Sequence, residues 1–131
     1  MIVLDTHALI WWANGAGELS RKAGKAIDDE LDGGEIVVSS ISAWEIAMLV
    51  ERERLVLSMD VESWLATVAT VEAVRFVPVD VETTLKSVAL PGEFHKDPAD
   101  RMIVATARRL AVPLVTRDEK IRAYKHVKTL W

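Results

Sequence analysis

Short, β-branched apolar runs alternate with longer helical segments along this chain, and that alternation narrows the possible folds more than any other feature. Met1 to Leu4 is too short for a helix and reads as a strand buried on both faces. Ile36-Val37-Val38, with glycines before it and serines after, reads as a second strand. Val74 to Val79 is a third, and Pro78 places its end outside the pairing. Val112 to Thr116 and Val127 to Leu130 complete the set.

Helical patterns fill the intervals. Thr6 is an N-cap candidate for a brief helix stopped by Asn14-Gly15-Ala16-Gly17, and Ser20 opens a polar helix closed by Gly33-Gly34. Further helices are expected from Ser42 to Glu53, from Asp60 to Thr70 and from Asp80 to Ala89. The last one starts at Asp97-Pro98, an N-cap followed by proline at the first helical position. Its Ala99, Met102, Ile103, Thr106 and Leu110 form a core-facing stripe. The expected class is therefore α/β, a parallel sheet with helices on both faces, and 131 residues without repeat or linker suit a single domain over 1–131.

Several chemistries are excluded at once. With no cysteine in the chain, disulfides, thiol nucleophiles and iron–sulfur sites are ruled out, and any metal must be held by oxygen or imidazole. Asp5 interrupts the apolar N-terminus and no basic start precedes it, so neither a signal peptide nor a membrane span is expected, and the cytoplasm is the expected location. The net charge of −4 conceals an asymmetry: residues 1–100 carry −10 and residues 101–131 carry +6. Basic residues of that last quarter, Arg101 among them, are candidates to meet phosphates, as well as to form an ordinary solvated helix face.

In an open parallel sheet, ligands bind beyond the carboxyl ends of the strands. Asp5 follows the first strand and Asp118 follows the fourth, so topology alone brings them to one edge. Glu45 and Asp100 each lie in the first turn of a predicted helix. Both have an ordinary structural explanation: Ser42-Ala43-Trp44-Glu45 fits a capping box, and Asp100 complements a helix dipole. Asp5 has none, because an acid closing a buried strand has no partner nearby in sequence. Gathered carboxylates oppose one another's ionisation, and a divalent cation relieves that repulsion; magnesium or manganese suits an all-oxygen site better than zinc does. His7, His95 and His126 are too scattered for a zinc set, although His7 and His95 remain candidates for the mouth of a site. The five tryptophans are assigned to core or interface packing rather than to base stacking.

Four segments, Asp5-Thr6-His7-Ala8-Leu9-Ile10-Trp11-Trp12, Ser42-Ala43-Trp44-Glu45, His95-Lys96-Asp97-Pro98-Ala99-Asp100-Arg101 and Leu114-Val115-Thr116-Arg117-Asp118, together resemble the PIN-domain ribonucleases, and among these the bacterial VapC-type toxins. The resemblance covers essentially the whole chain. It implies a three-layer α/β/α fold with strand order 3-2-1-4-5 and an acidic quartet of Asp5, Glu45, Asp100 and Asp118; on that basis Asp5 and Asp100 are expected to hold the metal directly and Asp118 directly or through water. Thr116 and Thr6 would support the site, Arg101 would touch the RNA backbone, and Glu45 would position or deprotonate the attacking water. It also implies magnesium- or manganese-dependent RNA cleavage, a homodimer and a VapB-type antitoxin partner. Arg117, between Thr116 and Asp118, is expected to point outward, since side chains alternate along extended backbone.

Other classes stay open on the residues alone. The same fold can serve as a protein-binding module with an inactive acidic site, docking through Trp11-Trp12 and the helix around Trp64. A phospho-accepting receiver domain would need an acceptor such as Asp80 closing the third strand, and a haloacid-dehalogenase-type phosphatase would want an acid where His7 stands.

Overall fold

The structure is a computed structural model that describes residues 1–131, and it places Ile2–Leu4 (β1) at the centre of an all-parallel sheet. Ile36–Ser39 (β2) and Leu114–Val115 (β4) flank β1, with Val74–Val77 (β3) and Thr129–Leu130 (β5) at the edges, giving the order β3-β2-β1-β4-β5. Val3 is in register with Val37 and Leu114, and Leu4 with Val38 and Val115. These central residues are buried because both sheet faces are covered. Pro78 falls just outside β3, where its missing donor is not needed.

Successive side chains of β1 point to opposite faces, which builds two cores. Ile2 and Leu4 pack with Thr6–Ala13 (α1), Arg21–Leu31 (α2) and Val61–Ala69 (α4), through Leu9, Ile27, Trp64 and Val68 among others. Val3 faces Ile103 and Val104 of Pro98–Leu110 (α6) and Ile121 of Glu119–Ala123 (α7). Ser40–Glu51 (α3) spans the edge between them, with Ile46 in the first core and Ile41 against the second. Trp64 is buried and its indole N–H donates to Asn14 Oδ1 at 3.2 Å, so the helix around it supplies core, as the packing assignment expects, and not the docking face of the alternative binding-module reading.

Val81–Val88 (α5) forms an outer layer on α6. It turns Thr83 and Ser87 inward and leaves Val81, Leu85 and Val88 exposed at 76, 65 and 77%. Arg109 of α6 ties the layer down by binding Asp80, Glu82 and Thr83. Both ends of α6 carry recognisable stop signals. Asp97 accepts the N–H of Asp100 at 3.0 Å with Pro98 at the first helical position, and Ala111, at φ 55°, closes a Schellman turn in which Val112 N–H reaches Ala107 O. Helix α7 was not foreseen: at five residues it is too short to show a period.

Candidate active site

β1 and β4 end side by side, so the residues that follow them emerge together. Asp5 N–H still donates to Val115 O, and the Asp5 side chain then takes the N-cap position of α1, accepting Thr6 N–H on Oδ1 at 2.8 Å. This displaces Thr6 from the cap role expected of it, because the helix begins one residue earlier. Asp5 Oδ2 accepts the hydroxyl of Thr116 at 2.7 Å. The same Thr116 oxygen accepts Asp118 N–H at 3.0 Å, so one buried threonine fixes both the acid after β1 and the backbone of the acid after β4. Asp5 is only 7% exposed, and burial holds its pKa above the usual carboxylate range despite the bonds from Thr116 and Thr6. Asp118 caps α7, with Oδ1 accepting from Lys120 and Ile121 N–H.

Glu45 is not part of a capping box. Helix α3 starts at Ser40 with Ser39 as N-cap, so Glu45 lies in its second turn, beyond reach of the orphan N–H groups. Its Oε1 instead accepts the Thr6 hydroxyl at 2.5 Å, and Thr6 Oγ1 lies 2.8 Å from Ser42 Oγ. Thr6 has one proton to give, so Ser42 is the donor in that second bond. Burial raises the pKa of Glu45, countered by Thr6 and reinforced by the charges of Asp5 and Asp97.

Asp100 is strongly perturbed. Burial, followed by the charges of Asp5, Asp97, Asp118 and Glu45, pushes its pKa to about 8. His95 Nε2 lies 3.1 Å from Asp100 Oδ2, beside the site as expected of a histidine at its mouth; the ring is fixed edge-on against Phe94 at 4.4 Å.

Arg101 departs from its expected role. Its guanidinium donates to the carbonyls of Ser87, Val88, Phe94 and His95, which leaves one N–H of five free. It is a clamp that folds the 91–97 loop back onto α5, and so delivers Asp97 and Asp100 to the strand-end edge, rather than a hand extended to RNA. Arg109 and Arg108 are likewise engaged internally, the latter with His126 O. The cations at the site are Arg117, whose guanidinium lies over the Trp11 ring at 5.7 Å, and Arg122. Arg117 makes no ion pair with the acids, in keeping with the outward orientation expected of it.

Asp5, Glu45, Asp97, Asp100 and Asp118 line one cavity of about 640 Å³, with Arg117 and Arg122 on its rim. No three of these acids converge closely enough to form a coordination shell of protein atoms alone. The donor set nevertheless fits magnesium or manganese, which accept one or two carboxylates and keep several waters. Asp100 Oδ1, Asp118 Oδ2 and Glu45 Oε2 make no hydrogen bond within the protein, and a cation would offset both the burial and the neighbouring negative charges that raise the pKa of Asp100.

Comparison with known proteins agrees with this geometry. Residues 2–127 match the family described as PIN domain. Ribonuclease VapC22 of Mycobacterium tuberculosis is 39% identical over 132 residues, covering 99% of this chain and 98% of that protein. Among solved structures, FitAcB from Neisseria gonorrhoeae superposes with a TM-score of 0.69 at 18% identity, covering 98% of this chain and 96% of that one. VapBC2 from Rickettsia felis bound to a DNA fragment from its promoter gives 0.68 at 16%, covering 98% and 97%. With strand order, register and the edge on which the acids gather all accounted for, the chain belongs to the PIN-domain family.

Proposed function

We propose that this chain is a metal-dependent endoribonuclease, acting as a single domain, and the toxic component of a VapBC-type toxin–antitoxin pair. The observation that carries the reading is the convergence of Asp5, Glu45, Asp100 and Asp118 on one cavity, where burial first and the neighbouring carboxylates second lift Asp100 to about 8. The name of the 39% identical relative, a ribonuclease, supports the choice of reaction.

Asp5, Asp100 and Asp118 would hold magnesium, for which manganese can substitute. The bound cation supplies positive charge against the scissile phosphodiester and acidifies coordinated water. Glu45 accepts the proton of the attacking water; its raised pKa makes it a better base near neutrality than an ordinary carboxylate. Thr6 and Ser42 hold Glu45 in orientation, and Thr116 holds Asp5. Arg117 and Arg122, in place of Arg101, contact the RNA phosphates at the rim.

A VapB-type antitoxin is the proposed partner, in line with the VapBC complexes among the structural neighbours. The exposed Val81, Leu85 and Val88 of α5, spaced along one helical face, support a homodimer. No helix is long and apolar enough to cross a membrane, and we place the protein in the cytoplasm. The test is incubation with defined single-stranded RNA and DNA oligonucleotides in manganese or chelator. RNA cleaved only with metal is the expected result, and cleavage of neither under any metal overturns the reading.

A further inference from the structure

A second cavity, of about 410 Å³, opens beside the acidic one and shares His7, Glu45 and Asp97 with it. Its floor is one face of α3: Ile41, Trp44, Glu45, Met48 and Arg52 follow at helical spacing. Trp44, one of the tryptophans the sequence assigns to core or interface packing, is not core: it is 57% exposed, the largest apolar side chain left in water beside the acids. At the far end stand Arg52 and Arg54, both exposed and neither in an ion pair. Arg54 is held there by a Schellman turn, Arg54 N–H to Leu49 O and Glu53 N–H to Val50 O, for which Glu53 adopts φ 58°. A glutamate in that left-handed conformation is unfavourable, and the turn fixes where Arg54 sits.

We propose that this cavity is a nucleotide subsite, in which an unpaired base of the RNA flanking the scissile phosphate stacks on Trp44 while its phosphate meets Arg52 and Arg54. The inference rests on the ribonuclease reading and deepens it. Three features favour a nucleic-acid strand as occupant. The cavity is continuous with the acids through Glu45, and its volume suits a small planar ligand. Aromatic rings stack any base, and Glu45 and Arg52, seven positions apart, are separated by about 10 Å along the helix axis, a step or two along a single strand. Arg52 and Arg54, paired with no carboxylate of the protein, complement a phosphate backbone.

The test uses the full chain carrying Asp100→Asn, with magnesium, so that fluorescein-labelled single-stranded RNA of mixed sequence stays intact during anisotropy titration. Adding Trp44→Ala should weaken binding about tenfold, Trp44→Phe should restore most of it, and the Arg52→Ala, Arg54→Ala double variant should shallow the salt dependence by one to two phosphate contacts. A series of oligonucleotides with a single abasic residue at each position then supplies a readout that loss of fold cannot mimic. One position should weaken binding to the Trp44 protein and have no effect on the Trp44→Ala protein. Equal affinity and an unchanged abasic profile in Trp44→Ala overturn the subsite, including the case in which Trp44 serves a protein partner instead. Manganese-dependent cleavage by the unsubstituted chain is scored separately, so failure of the nuclease reading is seen apart from failure of the subsite.

Discussion

The Thr116 hydroxyl donates to Asp5 Oδ2 at 2.7 Å across 111 residues of sequence, and its oxygen accepts the N–H of Asp118. One side chain thereby couples the ends of β1 and β4. Thr116→Val removes a buried donor and acceptor together and should lower stability by about 1–3 kcal/mol. It should reduce cleavage more than tenfold by freeing both acids, whereas Thr116→Ser should keep most activity. Chemical denaturation alongside RNA cleavage checks this; a Thr116→Val protein with full activity contradicts the coupling.

Arg101 separates a structural from a substrate-binding role. Its four carbonyl partners predict that Arg101→Ala destabilises the fold by about 2–4 kcal/mol, and that Arg101→Lys recovers little, since a point ammonium cannot match the planar fork. RNA affinity of the folded fraction, measured at low temperature, should stay within about threefold. A stable Arg101→Ala protein with weakened RNA binding would return Arg101 to the substrate-binding role.

The raised pKa values make the metal-free protein sensitive to pH. Asp100 rises from an ordinary 3.8 to about 8 in the folded state, and Asp5 and Glu45 are raised as well. Between those values the folded chain binds more protons than the unfolded one, so stability falls as pH climbs from about 4 towards 8 and levels off above. Thermal melts in chelator should show a declining Tm across that range. Added manganese should raise Tm most at the alkaline end, because cation and proton compete for the same carboxylates. A flat profile would mean that the acids do not share one field.

Ala111 offers a test of local backbone physics away from the site. It holds φ 55° at the C-terminal turn of α6, a conformation that favours glycine. Ala111→Gly should stabilise the protein by up to about 1 kcal/mol with unchanged activity, as read from denaturant midpoints.

Much of this architecture is legible in the chain because strands buried on both faces need continuous apolar runs, and the caps and stops are local signals. Asp97-Pro98 and Pro78 mark boundaries that the structure repeats within a residue or two. The acids after β1 and β4 follow from topology. What sequence spacing misses is long-range. The Ser42-to-Glu45 pattern suggests a local capping box, but Ser39 takes the cap and frees Glu45 for Thr6, 39 residues away. Arg101 belongs to a basic segment, yet its partners lie in another loop and helix, and no periodicity announces a carbonyl clamp. His95 meets Asp100 only because that clamp folds the loop back. Trp44 is exposed because α3 spans the sheet edge, which a helical pattern by itself does not disclose.

The central claim is that Asp5, Glu45, Asp100 and Asp118 form one metal-dependent ribonuclease site. The most direct measurement is single-turnover cleavage of a labelled RNA against manganese concentration, for the unsubstituted chain and for Asp5→Asn and Asp100→Asn, with melting curves in chelator to establish folding. The account predicts saturable, metal-dependent cleavage by the unsubstituted chain, at least a 100-fold loss in each variant, and unchanged or higher Tm as carboxylate repulsion is relieved. Cleavage that persists in folded Asp5→Asn and Asp100→Asn would contradict it.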